Sequence, residues 1–310
     1  MNLQRNQLLR TIVFLYGLSV VIALGTVLAQ TRPFHAPFGK TQSGSIAVVH
    51  IYGAIHTSEA ASAWGSQDAD EIAHRLHQLA DDSDVKAILL RINSPGGTVG
   101  AVQEIYEEVI KCKSKGKKVV ASLGEVAASG GYYIATSADR IVSNPGTITG
   151  SIGVILEFGN LEGLFEKIGV RLQVVKSGAH KDIGSPARAL TPEERRMLQA
   201  SIDDAYVQFV DAVAKGRSLA SDKVIPLADG RIFTGRQAMQ EGLVDELGDY
   251  EDAILVATRL ANLAPNPPIV SDHPRSVAAL LKQVSNRSKT SVLESLNPRT
   301  LGFSLEYSLR

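Results

Sequence analysis

The segment LGEVAASGGYYIATSADR, residues 123–140, sets one serine, Ser129, between two alanines and two glycines, with two tyrosines close behind. A hydroxyl in such small-residue surroundings is either a helix N-cap that accepts a backbone N–H or a nucleophile that a substrate backbone can reach. A second stretch, NSPGG (Asn93 to Gly97), reads as a turn that ends a strand and begins a helix. Its glycines free backbone N–H groups that suit a developing oxyanion. A plain strand-to-helix turn is the competing reading. Strand ends on one side of a parallel sheet converge on one crevice. The two turns can therefore face each other, with the N–H of Ser129 or Gly130 as a second donor.

A serine nucleophile needs a base. The chain has seven histidines, at 35, 50, 56, 74, 77, 180 and 273. His74 and His77 share a helix as surface or rim residues, while His50 and His56 flank a strand and stay open as candidates. No G-x-S-x-G elbow surrounds any serine and no acid–histidine pairing stands out, so a histidine triad has no support here. Lysine is the other base. VVKSGAHKDIGSP carries Lys176 and Lys181 on a glycine-containing loop. Free lysine is almost wholly charged at pH 7, so desolvation has to lower its pKa by several units before it takes a proton. Two solvated surface lysines are the competing reading.

The elements that would position these groups read as alternating strands and helices. SIAVVHIYGAI is a buried strand, and SQDADEIAHRLHQLADDSDV a helix with Ile72, Leu76 and Leu79 on one face. KAILLRIN, KVVASLG, RIVSNP and RLQVVKSG are further strands, separated by helical patterns and by GTITGSIGVI. This order gives an α/β fold with mainly parallel pairing. TPEERRMLQASIDDAYVQFVDAVAKGR is a long helix with Thr191 as N-cap, Pro192 at the first position and Glu194 at the third.

With 310 residues, 44% apolar content and zero net charge, the chain has ample core and no nucleic-acid signature. A single cysteine excludes a disulfide framework or thiolate metal site, and Cys112, within KCKSKGKK, reads as an exposed basic helix end. Residues 11–29, TIVFLYGLSVVIALGTVLA, are uncharged and just long enough to span a bilayer as a helix. A cleaved signal peptide is the rival, with Val27 and Ala29 as small-residue positions. The resulting division is a short segment at 1–10, an anchor at 11–29, a linker at 30–44, a folded domain at 45–262 and a polar tail at 263–310 with an amphipathic piece at SVAALLKQV. Either N-terminal reading places the domain outside the cytoplasm.

INSPGG, EVAASGGYYIATSADRIVSNPGTITGSIGV, VVKSGAHKDIGSPARALTPEE and DGRIFTGRQAMQEGLVDELG together resemble the signal peptide peptidase A family in its short form, a group of membrane-anchored serine proteases of class S49. The likeness runs from about Ile46 to Ile254. It implies a crotonase-related, Clp-protease-like α/β fold. It implies Ser129 as nucleophile, Lys181 rather than Lys176 as general base, Ser151 as the residue orienting that lysine, and Gly96 as oxyanion donor; Gly97 and Gly130 join it as candidate donors from the reading of the two turns. It further implies remnant signal peptides and other extended apolar peptides as substrates, no metal or cofactor, and a membrane-attached homo-oligomeric ring whose sites are shared between subunits. The sequence lacks G-x-x-x-x-G-K-[ST] and H-E-x-x-H. A crotonase-type acyl-thioester enzyme and an inactive assembly scaffold are the alternatives.

Overall fold

The computed structural model describes residues 41–57 and 67–271, together with the backbone of the strand Glu306–Ser308. The expected anchor at 11–29, most of the linker and the amphipathic piece of the tail lie outside the described residues. Among the described residues no helix is long and apolar enough to cross a membrane.

The chain begins with β1 (Ser45–Tyr52), β2 (Ile55–His56) and β3 (Gln67–Asp68), then α1 (Ala69–Asp81), β4 (Val85–Ser94) and β5 (Gly96–Thr98). It continues through α2 (Val99–Ser114), β6 (Lys118–Ala128), α3 (Gly130–Ala135), β7 (Arg140–Ser143) and β8 (Ile148–Gly150). The remainder is α4 (Glu162–Lys167), α5 (Pro192–Arg217), α6 (Ser221–Val224), β9 (Ile232–Thr234), α7 (Gly235–Gln240), β10 (Glu246–Leu247), α8 (Tyr250–Leu260), β11 (Ile269–Ser271) and β12 (Glu306–Ser308).

The main sheet runs β10-β7-β6-β4-β1-β11 with every neighbour parallel. Its central strands are apolar on both faces, as expected for a parallel sheet covered on both sides. Ala47, Val49 and Ile51 of β1 and Ile88, Leu90 and Ile92 of β4 join a core shared with α1, α2, α3 and α5. The alternate residues Ile46, Val48, Ala87 and Leu89 face Ala253, Ile254, Val256 and Ala257 of α8 on the other side. The sheet continues past the expected domain end at 262, because β11 pairs with β1 from Ile46↔Ile269 to Val48↔Ser271.

Helix starts follow their sequence signals. Asp68 caps α1 by accepting the Asp70 N–H, and Thr191 opens α5 with the capping box expected from Pro192 and Glu194. Such caps contribute about 1 kcal/mol each. Cys112 departs from expectation. Instead of lying exposed among lysines, it is fully buried, and its thiol donates to the Leu76 carbonyl at 3.3 Å. Ile105, Val109 and Cys112 fall on the inner stripe of α2, while Lys111 and Lys115 point to solvent. Burial pushes the thiol up to about 11. In the native protein Cys112 is expected to resist an aromatic disulfide reagent at pH 8 and to react fully in guanidinium; fast native labelling would contradict the burial.

Candidate active site

Strand β6 carries the chain to Ser129, which stands between the strand and α3. A non-glycine residue avoids positive φ because Cβ crowds the following carbonyl, yet Ser129 has φ 52° and ψ −116°. Such a conformation costs on the order of 1–3 kcal/mol and persists only where the surroundings dictate it. Here they do. The Ser129 N–H donates to the Gly150 carbonyl at 2.8 Å and the Ser129 carbonyl accepts the Tyr133 N–H at 2.8 Å. The side chain makes no helix-capping hydrogen bond, which removes the N-cap reading, and the residue is 1% exposed.

The tyrosines behind it hold α3 in place. The Tyr132 hydroxyl donates to the Leu243 carbonyl at 2.7 Å. The Tyr133 ring packs between Tyr106 and Phe209, with centroids 5.1 and 5.0 Å away. Gly131 lets this helix approach β4 closely, since a Cβ there would come within 2.9 Å of the Ser94 carbonyl. The strand turn, the helix and the end of β4 therefore meet at one point.

Ser151 lies next to this turn. Strand β8 pairs with the end of β6 from Val126↔Ile148 to Ala128↔Gly150, which sets Ser151 just beyond the carbonyl that Ser129 donates to. Ser151 also has φ 52°, is 8% exposed, and donates its N–H to the Arg231 carbonyl at 2.8 Å. Two serines in the left-handed region thus end two adjacent parallel strands.

The NSPGG stretch differs from the expected turn into a helix. Gly96 to Thr98 form β5, and α2 begins only at Val99. Gly96 has φ 110°, and its N–H donates to Ser94 Oγ at 3.1 Å. A Cβ on Gly97 would lie 1.9 Å from the Ile55 carbonyl oxygen, so glycine is required where β5 pairs with β2. On its other edge β5 pairs antiparallel with β12, matching Thr98, Gly97 and Gly96 with Glu306, Tyr307 and Ser308. The Gly130 N–H opens α3, where a helix has no carbonyl four residues back to accept it.

The strand expected at RLQVVKSG does not form: residues 171–178 are irregular and exposed throughout. Val175 is fully exposed and Leu172 and Val174 more than half, and among the described residues the segment pairs with no strand. Lys176 is engaged: its ammonium donates to Asp182 at 2.6 Å and to the Ala179 carbonyl at 2.7 Å. Lys181 is exposed, and among the described residues no side-chain hydrogen bond links it to Ser129 or Ser151.

Arg188 organises this loop. Its guanidinium donates to both Asp182 oxygens at 2.7 and 3.1 Å and to both Glu194 oxygens at 2.6 and 2.8 Å. It holds the Asp182 carboxyl well below the usual range, with help from Lys176. The almost buried Glu194 carboxyl is held at about 2 by Arg188 and by the Thr191 N–H. His180 Nδ1 is buried nearby, 4.0 Å from Glu194 and without a hydrogen-bond partner among the described residues.

With this geometry in hand, relatedness is informative. A family model described as peptidase family S49 matches residues 111–264, and a Clp protease family model matches residues 50–145. A Synechocystis protein named "Putative protease" is 50% identical over 230 residues, which are 74% of this chain and 79% of that protein. This chain belongs to peptidase family S49. Protease 4 of Salmonella typhi is 41% identical over 220 residues, 71% of this chain but 35% of that protein. The chloroplastic serine protease SPPA of Arabidopsis thaliana is 38% identical over 199 residues, 64% of this chain and 29% of that protein. Among solved structures, a ClpP1 variant from Listeria monocytogenes superposes with a TM-score of 0.43 at 19% identity, covering 67% of this chain and 94% of that one. The S49 chain is a serine peptidase with an α/β fold and a mostly parallel sheet.

The depressed Glu194 carboxyl makes the loop's stability pH-dependent. A lowered folded-state pKa stabilises fully above the ordinary value of 4.5, and that contribution is lost as pH falls toward about 2. Arg188→Gln is expected to lower Tm by several degrees at neutral pH, since it takes the guanidinium from two carboxylates and leaves the buried Glu194 with the Thr191 amide as its remaining hydrogen-bond partner among the described residues. The gap between variant and wild type should close as pH falls below 4.5. A gap that stays constant down to the acid limit would contradict the assignment.

Proposed function

We propose that the chain is a membrane-attached serine endopeptidase with a Ser129–Lys181 dyad that cleaves extended apolar peptides such as signal-peptide remnants. The observation that carries this reading is the buried, strained Ser129 turn, set beside the equally left-handed Ser151 at the ends of adjacent parallel strands. Strain of that kind aims a hydroxyl out of a sheet end toward a substrate, as in other nucleophile turns.

In the proposed reaction the neutral Lys181 amine takes the proton of Ser129 Oγ as the oxygen attacks the scissile carbonyl carbon. The Gly96 N–H, which otherwise donates to Ser94, turns to the tetrahedral oxyanion, with the amides of Gly97 and Gly130 beside it. The C–N bond breaks, the Lys181 ammonium returns its proton to the leaving amine, and water hydrolyses the acyl-enzyme. The Ser151 hydroxyl holds the lysine nitrogen in place.

Two observations support the substrate and assembly parts of this reading. The glycine-built β5 presents an edge that already takes an antiparallel strand, as an extended peptide would. The lysine arm leaves Leu164, Ile168, Leu172, Val174 and Val175 uncovered, a concentration of apolar surface suited to a second copy of the chain. In that arrangement Lys181 is desolvated by, and works with, the serine of a neighbouring subunit. The apolar residues 11–29 anchor the assembly in the membrane, with the catalytic domain outside the cytoplasm.

The test is cleavage of a fluorogenic apolar peptide by the purified protein. Ser129→Ala and Lys181→Ala are each expected to lower kcat at least about a thousandfold while leaving assembly intact. Lys176→Ala should stay within about tenfold of wild type, since its amine is paired with Asp182 away from the chemistry. Retained turnover in Ser129→Ala overturns the nucleophile, and a reversed order of the two lysines overturns the base.

A further inference from the structure

Strands β4 and β6 pair in register from Ala87↔Lys118 to Ile92↔Leu123, and then the register jumps so that Ser94 faces Ala127. One residue, Asn93, therefore stands opposite three, Gly124, Glu125 and Val126. Extra residues in a ladder leave backbone groups without partners opposite them. The structure fills these with side chains. Asn93 Oδ1 accepts the Val126 N–H at 3.0 Å, the Thr147 hydroxyl donates to the Gly124 carbonyl at 2.6 Å, and Asn144 Nδ2 donates to the Leu123 carbonyl at 3.3 Å.

The Asn93 bond has a particular place in this set. Three residues beyond Asn93 is Gly96, and three residues beyond Val126 is Ser129. It is thus a direct tie between the strand that leads to the glycine edge and the strand that leads to the serine turn. Gly124 packs against it: a Cβ there would come within 3.2 Å of Asn93 Cβ and 3.0 Å of the Ile92 carbonyl. Asn93 is also fixed through its main chain, whose carbonyl accepts the Gly53 N–H at 2.9 Å.

We propose that Asn93 is a positioning residue, whose carboxamide sets the distance between the Gly96–Gly97 edge and Ser129. The inference rests on the reading of Ser129 as nucleophile. The Asn93 Oδ1 is engaged by Val126, so its proposed effect on the chemistry runs through that backbone contact. Catalytic groups have to be held within about 0.5 Å of the productive geometry, and a displacement of about 1 Å can cost a hundredfold in rate. Loss of this bond lets the serine turn shift against the glycine edge by that order.

The experiment measures acylation of the full-length protein by a fluorophosphonate probe, per folded site, beside kcat and KM for a peptide. Asn93→Ala removes the acceptor, and is expected to slow acylation and kcat about ten- to a hundredfold with KM nearly unchanged. Asn93→Gln keeps the amide but moves it by one methylene, and should show the same loss even if Asn93→Ala fails to fold. Asn93→Asp keeps an oxygen that can accept the Val126 N–H, and should recover to within about threefold of wild type. Wild-type acylation in folded Asn93→Ala or Asn93→Gln overturns the proposal, as does Asn93→Asp no better than Asn93→Gln. Ser129→Ala is run alongside: labelling that survives it would remove the nucleophile assignment itself, independently of any Asn93 result.

Discussion

The first half of β6 hydrogen-bonds to β7 and its second half to β8, and the two halves are separated by residues that the β4 ladder cannot pair. After this change of neighbour the strand stays paired, with Ala127 opposite Ser94 of β4 and residues 126–128 alongside β8, and runs on to Ser129. A regular strand would have delivered residue 129 in extended conformation with its side chain committed to one face. The interruption, the glycine at 124 and the small residues 127 and 128 instead let the backbone enter a left-handed turn. The surroundings that hold that turn are extensive: the Gly150 carbonyl, the anchored tyrosines of α3 and the close contact of Gly131 with β4. Strain at Ser129 is thus balanced by packing around it.

The other half of the candidate chemistry is built on different principles. Among the described residues the loop carrying Lys181 pairs with no strand and has almost no buried apolar surface; it is shaped by ions, with Arg188 clamped between Asp182 and Glu194. That clamp ties the loop to the start of α5, itself fixed by the Thr191 capping box. The result is a loop with local order and uncovered apolar flanks. Order without burial is what a segment needs if its remaining surface is completed by another copy of the chain.

Much of this was readable in the sequence, and the reasons differ by element. The strand and helix alternation, the inner stripe of α1 and the Thr191 cap rest on short-range periodicity and capping chemistry, which one chain segment displays by itself. The small-residue run around Ser129, the NSPGG turn and the two loop lysines were visible as residue types and spacing, while the choice of Lys181, Gly96 and Ser151 came from the family resemblance. Cys112 was misplaced because its flanking lysines masked its fit to the three- and four-residue spacing of Ile105 and Val109. RLQVVKSG has strand composition, yet it pairs with no strand among the described residues, a fact that only the tertiary arrangement supplies. The register jump and the Asn93–Val126 bond join residues 33 apart in sequence, and no local pattern announces such a pair. The asparagine directly before SPGG was the sole signal, and it reads equally well as ordinary turn chemistry.

The central claim is that Ser129 of one copy works with Lys181 of another, and subunit mixing tests it most directly. Ser129→Ala and Lys181→Ala proteins, each inactive alone, are combined under conditions where subunit exchange is confirmed, and peptide cleavage is followed. The account predicts that the mixture regains a measurable fraction of wild-type activity, because some interfaces then bring an intact serine to an intact lysine. Full exchange with no recovered activity would contradict it and place both groups within a single chain.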